Sequence, residues 1–328
     1  MADNDPAVRT RGLRRTYGAR KALDGLDMEV GRGTVHAVLG PNGAGKTTLV
    51  RTLATLLRVQ AGYAEVVGID LAAHPRLVRR RIGLLGQHAA VDEELSGRQN
   101  LEVFGRLYHL GGRRAAARAE ELLERFGLAG TGRTPVRAYS GGMRRRLDLA
   151  ASLLVDPDVL FLDEPTTGLD PRGRGEVWNA VRSLVGGGST VLLTTQYLEE
   201  ADQLADRISV VDGGRVIADG TADQLKEEVG GDRIDVVLRD PGRLAEAAAV
   251  LGGVSATGRA DTDADTRRVS APVADRMAAL HHAVRALDAA GIAAEDLAVR
   301  RPTLDEVFLH LTGGPAGAVP GEHEEVSA

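Results

Sequence analysis

Residues Thr34 to Leu57 read TVHAVLGPNGAGKTTLVRTLATLL, and this stretch decides the fold of the chain. It opens with the apolar run Val35–Leu39, which is typical of a buried parallel strand. The next residues, Gly40–Thr48, match the pattern G-x-x-x-x-G-K-S/T at every fixed position. Leucines then recur at helical spacing, so a helix is expected behind the loop. A strand, a glycine-rich loop and a helix stand in the order that a phosphate-binding site requires.

The glycine-rich loop carries the chemistry that this pattern predicts. Glycines let the backbone turn tightly, so that successive N–H groups point at phosphate oxygens, and the helix N-terminus adds a partial positive charge. Lys46 is one of only three lysines in a chain with 41 Lys and Arg residues, and a compact ammonium suits β- and γ-phosphates better than a planar guanidinium. A glycine turn that opens an ordinary helix is the alternative, which the preceding strand disfavours. The residues predicted to bind the phosphates are Gly40, Pro41, Asn42, Gly43, Ala44, Gly45, Lys46, Thr47 and Thr48.

Composition limits the classes of function. At 328 residues the chain can hold one large and one small domain. Its formal net charge of −5 gives no sign of nucleic-acid binding, and the run Arg144–Arg146 is predicted to be a solvated face. The absence of cysteine excludes disulfides and suits a reducing cytosol. The first residues lack the apolar core of a signal peptide, and no run approaches the roughly 20 apolar residues of a membrane span, so another chain is expected to cross any membrane.

A second chemical motif follows the apolar run Val159–Leu162, which is typical of a strand and delivers Asp163 and Glu164 at its carboxyl end. Ligands of open α/β sheets bind at this end of the strands. Two solvated turn carboxylates are the alternative, and the phosphate loop elsewhere in the chain favours a catalytic pair. Another apolar strand, Thr190–Thr195, ends at Gln196 in the same manner.

The remaining pattern predicts the domain organisation. Residues 7–230 form the predicted nucleotide-binding domain, with helical periodicity over about 88–157. Beyond residue 230 the order β-α-β-β-α-β predicts a small ferredoxin-like domain over 231–313, in which Val254–Arg259 and Arg267–Val273 pair as a hairpin. The last residues, 314–328, are predicted to be disordered. The fold class is therefore α/β, with a small α+β domain after it.

Taken together, the motifs up to Glu164 resemble those of the ATP-binding cassette (ABC) family of ATPases, and the resemblance covers roughly residues 7–225. The motifs that carry the resemblance are the phosphate loop, the glutamine loop at Gln87, the signature loop Tyr139–Met143, the second nucleotide motif Val159–Glu164 and the turn Gly168–Pro171. Two residues depart from the family pattern, since Met143 stands where glutamine is common and Gln196 where histidine is usual. The resemblance implies a P-loop NTPase core with an antiparallel β subdomain and a helical subdomain.

The resemblance also implies roles for the nucleotide motifs. ATP and Mg²⁺ are the expected cofactors, with Lys46 on the phosphates. Thr47, Gln87 and Asp163 are the expected protein ligands of the metal. Glu164 is the expected general base for the attacking water, so Lys46 and Glu164 are predicted catalytic residues.

Three further contacts follow from the resemblance. Gln196 is the third predicted catalytic residue, as a hydrogen-bond donor in place of the usual histidine. Tyr17, at a strand end ahead of the phosphate loop, is expected to stack on adenine, although half-buried packing is the usual role of such a tyrosine. Ser140 resembles a helix N-cap. Together with Gly141 and Gly142 it is expected to contact the γ-phosphate bound on the opposite subunit, so that a homodimer sandwiches two ATP molecules.

Three segments are similar to the daunorubicin-resistance branch of the family: VDEELSGRQNL (Val91–Leu101), TTQYLEEADQLAD (Thr194–Asp206) and PTLDEVFLHLTG (Pro302–Gly313). The branch implies an ATPase subunit at the cytoplasmic face of a bacterial membrane, paired with an integral-membrane ABC-2-type permease that exports a drug or natural product. The helical segment between Gln87 and Ser140 is then expected to dock the permease, and no nucleic-acid partner is expected. The alternative is a soluble ABC ATPase of DNA maintenance or translation, which usually carries a long coiled coil or two cassettes.

Replacing Lys46 with alanine is expected to abolish ATP binding or turnover and to leave the fold intact, because the ammonium is the point charge of the loop. A fluorescent ATP analogue measures binding, and phosphate release measures turnover, with circular dichroism as the control for folding. Wild-type affinity and turnover in a folded Lys46→Ala protein would remove Lys46 from the phosphate site.

Overall fold

The computed structural model describes residues 5–87, 90–228 and 232–312, and these residues fall into two compact units that divide between Thr221 and Ala222. The division lies ahead of the predicted domain border near residue 230, and residues 229–231 are outside the described part of the chain. Within the described residues, no helix is both long and apolar enough to cross a membrane.

The first unit contains ten strands and seven helices among its described residues. The strands are β1 (Val8–Tyr17), β2 (Arg20–Val30), β3 (Val35–Leu39), β4 (Ala61–Val66), β5 (Ile69–Asp70), β6 (Ile82–Leu85), β7 (Val159–Asp163), β8 (Thr190–Thr195), β9 (Arg207–Asp212) and β10 (Arg215–Gly220). The helices are α1 (Lys46–Leu53), α2 (Pro75–Val78), α3 (Gly97–Leu107), α4 (Gly112–Arg125), α5 (Gly141–Ser152), α6 (Pro171–Gly186) and α7 (Leu198–Leu204).

A six-stranded sheet in the order β10-β9-β3-β8-β7-β6 forms the centre of this unit. The strands from β9 to β6 run parallel, and β10 pairs antiparallel with β9 at the edge. Every residue of β3, β7 and β8 is buried, as expected for parallel strands that are covered on both faces. The carboxyl ends of these three strands therefore lie side by side, next to the start of α1.

A second sheet, antiparallel and in the order β2-β1-β4-β5, packs into the same hydrophobic core. Strand β2 was not predicted, because charged residues interrupt its apolar pattern. The structure nevertheless buries Leu23, Leu26, Met28 and Val30 on one side of this strand. The implied antiparallel β subdomain thus corresponds to an observed sheet.

The predicted helical region corresponds to α3, α4 and α5. Helix α3 begins with a capping box, in which the Ser96 hydroxyl accepts from the Gln99 backbone N–H and the Gln99 side chain accepts from the Ser96 backbone N–H. Helices α3 and α4 pack against each other, and α5 returns the chain to β7. Two residues of the predicted range, 88 and 89, lie outside the described residues.

The second unit combines helices with a four-stranded antiparallel sheet in the order β12-β13-β11-β14. Its elements are α8 (Ala222–Glu228), β11 (Asp232–Leu238), α9 (Leu244–Gly252), β12 (Asp261–Asp263), β13 (Arg268–Val273), α10 (Arg276–Ala289), β14 (Ala294–Arg300) and α11 (Leu304–Thr312). The prediction of a strand at Val254–Arg259 was wrong, because the partner of β13 is the fully exposed edge strand β12, whose polar residues were read as the turn. The tail 314–328, predicted to be disordered, lies outside the described residues.

A buried polar chain joins β3 to the sheet edge. His36 is fully buried, and its Nε2 lies 2.8 Å from the hydroxyl of Ser209, which donates at 2.6 Å to the carboxylate of Asp219. Because the serine gives its only proton to Asp219, Nε2 of the histidine must carry a hydrogen and donate it. Burial lowers the pKa of His36 to about 4, and the nearby Asp219 only partly opposes this while Arg207 adds to it.

The stability of the protein is therefore expected to depend on the ionisation of His36. The pKa is lower in the folded state than in the unfolded state, so the unfolded chain takes up the proton first as the pH falls. The stabilisation is complete above about pH 6.5 and is lost towards pH 4, by at most about 3 kcal/mol. A His36→Gln protein keeps a donor but cannot titrate, and urea unfolding at a series of pH values compares the two proteins. Equal pH dependence in both would contradict the expectation.

Candidate functional site

The phosphate loop is held in place by the strands around it. At Gly45, which has φ of +112°, a side chain would bring its Cβ to 2.3 Å from the carbonyl oxygen of Ala22. Only glycine fits this left-handed and crowded position. Lys46 begins α1 with 4 % exposure, and its Nζ donates to the carbonyl oxygens of Gly40 at 2.6 Å and Pro41 at 3.1 Å. The lysine thus lies folded over its own loop.

The charge of Lys46 is balanced by carboxylates from the neighbouring strand end. Its Nζ lies 3.7 Å from Oε1 of Glu164. Burial lowers the pKa of Lys46, and Glu164 and then Asp163 oppose that fall. The two acidic residues of the second motif therefore lie next to the lysine of the first.

The predicted metal ligands also meet at one point. Asp163 ends β7, and its Oδ1 accepts from the Thr194 hydroxyl at 2.6 Å and from the Thr47 hydroxyl at 3.3 Å. The side-chain amide of Gln87 donates to the same Thr47 hydroxyl at 3.2 Å. The structure thus brings together a hydroxyl, a carboxylate and an amide, the oxygen-bearing groups that a hard divalent cation prefers.

Glu164 occupies a constrained position directly after β7. Its φ of +48° lies in the left-handed region, which is uncommon for a residue other than glycine. Its backbone N–H donates to the carbonyl oxygen of Thr194 at 3.0 Å, and its Oε2 accepts from the Thr167 hydroxyl at 3.3 Å. These contacts turn the carboxylate away from β7 and towards the cavity over the phosphate loop.

A cavity of about 630 Å³ collects most of the predicted nucleotide contacts. The predicted residues that line it are Tyr17, Asn42, Gly43, Gly45, Lys46, Thr47, Thr48, Gln87, Glu164 and Gln196. Gly40, Pro41, Ala44 and Asp163 are not among the residues that line it. Arg20, which sequence reasoning missed, also lines the cavity and donates to the carbonyl oxygen of Gly43 at 3.1 Å.

Tyr17 lies at the rim of this cavity and is 49 % exposed. The guanidinium of Arg15 lies 5.1 Å from the centre of the tyrosine ring, and its Nε donates to the phenolic oxygen at 3.1 Å. The ring is therefore supported from one side.

The signature loop lines a different cavity. Ser140 caps α5, and its hydroxyl accepts from the backbone N–H of Met143 at 3.2 Å. Together with Gly141, Gly142 and Asp170 it lines a space of about 540 Å³ that shares no lining residue with the cavity over Lys46. One chain does not bring the signature loop and the phosphate loop to the same cavity.

Comparison with known proteins fits this geometry. The family model described as ABC transporter matches residues 23–167. The daunorubicin resistance ATP-binding protein DrrA3 of Streptomyces coeruleorubidus is 72% identical over 309 residues, which cover 94% of this chain and 96% of that protein. The chain belongs to the ABC transporter family.

Other relatives of this ABC protein agree. The daunorubicin/doxorubicin resistance ATP-binding protein DrrA of Streptomyces peucetius is 50% identical over 313 residues, 94% of this chain and 93% of that one. The solved structure of cbiO1 from Clostridium perfringens, described as part of the ABC transporter complex cbiONQ, superposes with a TM-score of 0.64 at 27% identity. The match covers 69% of this chain and 92% of that one. The chain is an ATP-binding and ATP-hydrolysing member of the drug-resistance branch.

Arg145 is a site residue that sequence reasoning missed, and the prediction of a solvated face over Arg144–Arg146 was wrong for it. Its side chain is buried, and its guanidinium donates to the carbonyl oxygens of Gly86 and Pro165, both at 2.7 Å. It also reaches the carbonyl oxygens of Asp163 at 3.3 Å and Glu164 at 3.1 Å. The signal was helical spacing, because Arg145 shares the buried face of α5 with Gly142 and Leu149.

Removal of this guanidinium is expected to destabilise the ABC protein and to slow ATP hydrolysis. An Arg145→Met side chain fills similar space but leaves buried carbonyl oxygens without donors, at a cost of roughly 2–4 kcal/mol. Arg144→Met is the matched control, because Arg144 pairs with Glu93 near the surface and is expected to change stability by less than about 0.5 kcal/mol. Urea unfolding and phosphate release measure both effects, and equal behaviour of the two variants would contradict the assignment.

Proposed function

We propose that this chain hydrolyses ATP to drive the export of a drug or natural product through a separate membrane permease. The observation that carries the proposal is the 72% identity over 94% of the chain to a protein named for daunorubicin resistance. The site geometry supports the chemical part, because Lys46, Thr47 and Glu164 line a single cavity. The soluble alternative, in DNA maintenance or translation, is not favoured by these relatives.

ATP binding is assigned to the phosphate loop, with Lys46 on the β- and γ-phosphates. The lysine is suited to this role because its present acceptors are two carbonyl oxygens of its own loop, for which phosphate oxygens are stronger substitutes. Arg20 lies over the same loop and adds a second positive charge. Tyr17, supported by Arg15 at the rim, offers an exposed ring face for adenine.

Mg²⁺ is proposed as the second cofactor. Thr47, Gln87 and Asp163 would hold it, since the Thr47 hydroxyl already contacts the Asp163 carboxylate at 3.3 Å and the Gln87 amide at 3.2 Å. Mg²⁺ is usually bound by one or two carboxylates together with substrate phosphates, so a single aspartate beside a phosphate loop fits its preference. When bound, the ion would neutralise charge on the phosphates.

Glu164 is proposed as the general base. Its backbone is fixed by Thr194, and its carboxylate faces the cavity beside Lys46. In this position the carboxylate can accept a proton from the attacking water. Gln196 follows β8 and lines the same cavity, where its amide N–H can donate to the γ-phosphate. Unlike the usual histidine, it cannot carry the proton away, so the proton chemistry rests on Glu164.

A homodimer that sandwiches two ATP molecules is proposed from the separation of the two cavities. Ser140, Gly141 and Gly142 line a surface cavity of their own at the N-terminus of α5. A helix N-terminus with free N–H groups suits a phosphate, and a second copy of the chain can supply one. This arrangement would complete each site with residues from both chains.

The finer domain assignment is also a proposal. We infer a nucleotide-binding domain over 7–230 and a ferredoxin-like domain over 231–313. The inference of the ferredoxin-like fold is supported by the chain order β-α-β-β-α-β and by the position of the first strand, β11, between β13 and β14. The role of this domain is proposed to be accessory or regulatory, since every nucleotide motif lies before it.

The partner is proposed to be an integral-membrane permease of the ABC-2 type, which places this chain at the cytoplasmic face of the membrane. Its support is the similarity to drug-resistance ATP-binding proteins, and docking is assigned to the helical segment from Gln87 to Ser140. Exposed apolar side chains on α3 support this assignment, since Val103 is 42 % and Leu107 67 % exposed. No nucleic-acid partner is proposed.

Glu164→Gln is the variant that tests the proposed function. It is expected to bind ATP normally and to lower the hydrolysis rate about 10²–10⁴-fold, because the amide cannot accept a proton. In cells that express the chain together with the permease from the neighbouring reading frame, this variant is expected to abolish efflux of a fluorescent anthracycline. Phosphate release and drug accumulation measure these effects. Normal hydrolysis would place the base elsewhere, and efflux unaffected by loss of hydrolysis would overturn the transport role.

A further inference from the structure

Glu200, near the nucleotide site, carries a buried carboxylate that has no role in the proposed chemistry. Glu200 lies in the first turn of α7 and is fully buried, whereas the preceding Glu199 is exposed. Its Oε1 accepts at 3.1 Å from the indole N–H of Trp178 on α6. Glutamate is almost never fully buried without close partners, so its other oxygen requires an explanation.

The Glu200 carboxylate lies close to two threonines that are neighbours of the catalytic residues in sequence. Burial raises the pKa of Glu200, and the nearby hydroxyls of Thr195 and Thr166, with the Trp178 N–H, partly oppose that rise. Thr195 directly precedes Gln196, and Thr166 comes two residues after Glu164. The carboxylate therefore stands between the strand end that holds Gln196 and the loop that follows Glu164.

One atom of Glu200 and one atom of Thr166 have no hydrogen-bond partner. Both Oε2 of Glu200 and the hydroxyl oxygen of Thr166 are buried and unpaired in the structure. One is an acceptor and the other carries a proton to donate, so each can satisfy the other. The two groups are already neighbours, because the Thr166 side chain helps to lower the pKa of Glu200.

We propose that Glu200 is a positioning residue, which accepts a hydrogen bond from Thr166 when the Glu164 loop adopts its catalytic position. The bond would fix the base relative to Gln196, since Glu200 follows the same strand end. The inference rests on the proposed function of the site. It assigns no contact with ATP to Glu200, whose carboxylate lies beneath the loops.

The substitution Thr166→Val distinguishes a positioning role of the Thr166 hydroxyl from a purely structural one. Thr166→Val removes a hydroxyl that has no partner in this structure and keeps the side-chain shape, so the stability of the protein is not expected to fall. If the hydroxyl acts only as buried packing, hydrolysis is unchanged as well. If it pairs with Glu200 during turnover, hydrolysis falls although stability does not.

The experiment measures kcat and KM for ATP on the purified full-length chain with Mg²⁺, together with thermal unfolding. Thr166→Val and Glu200→Leu are each expected to lower kcat about 10-fold or more, as a misplaced catalytic group does. KM is expected to change by less than about 2-fold, because the phosphate contacts are untouched. Thr166→Ser and Glu200→Gln are expected to restore most of the rate, and Glu199→Gln is the matched control with wild-type kinetics.

The double variant Thr166→Val/Glu200→Leu decides whether the two residues act together. A rate equal to that of the slower single variant is expected, since both changes remove the same bond. Multiplied effects would show independent roles and overturn the proposal. Emission of Trp178, the only tryptophan in the chain, is expected to respond to ATP in the wild type and to respond less in Thr166→Val.

Wild-type protein and Glu164→Gln, measured in parallel, separate this inference from the proposed function. Hydrolysis by the wild type and its loss in Glu164→Gln support the proposed function. If this result is obtained and Thr166→Val has the same kcat as the wild type, the positioning role is overturned, whereas the proposed function still stands. Because Thr166→Val is not expected to unfold the protein, this outcome is available even if Glu200→Leu fails to fold.

Discussion

The carboxylate of Asp163 is the contact on which the arrangement of the nucleotide site depends. It is buried at the end of β7 and accepts hydroxyl hydrogen bonds from Thr194 on β8 and Thr47 on α1. Strands β7 and β8 and helix α1, which are distant in sequence, are thereby connected at the carboxyl end of the sheet. A buried carboxylate is costly without donors, so the same contact that builds the site also makes its parts interdependent.

Glu164 shows how this interdependence positions a reactive group. A left-handed conformation costs a residue other than glycine of the order of 1–3 kcal/mol, so it persists only where the surroundings impose it. Here the backbone N–H is held by Thr194, and the carbonyl oxygen is held by Arg145. The strained turn points the side chain out of the sheet and into the cavity beside Lys46.

Much of the fold and of the site could be predicted, because the signals were local in sequence. Apolar runs marked β3, β7 and β8, and glycine spacing marked the phosphate loop. The residues that were missed have partners far away along the chain or on the backbone: Arg145 binds carbonyl oxygens, and Glu200 meets an indole from α6. Sequence spacing does not predict such contacts, although the helical spacing of α5 places Arg145 on its buried face.

The position of Arg145 also shows how the Glu164 turn is fixed without a contact between the guanidinium and the Glu164 carboxylate. A guanidinium that donates to a carboxylate favours the ionised form and weakens that group as a proton acceptor. Arg145 instead donates to backbone carbonyl oxygens on both sides of the Glu164 side chain, at Asp163, Glu164 and Pro165. These contacts hold the backbone of the turn, while the carboxylate accepts a hydrogen bond from Thr167 and faces Lys46. The backbone of the turn and the carboxylate of Glu164 are thus held by different residues, Arg145 for the backbone and Thr167 and Lys46 for the side chain.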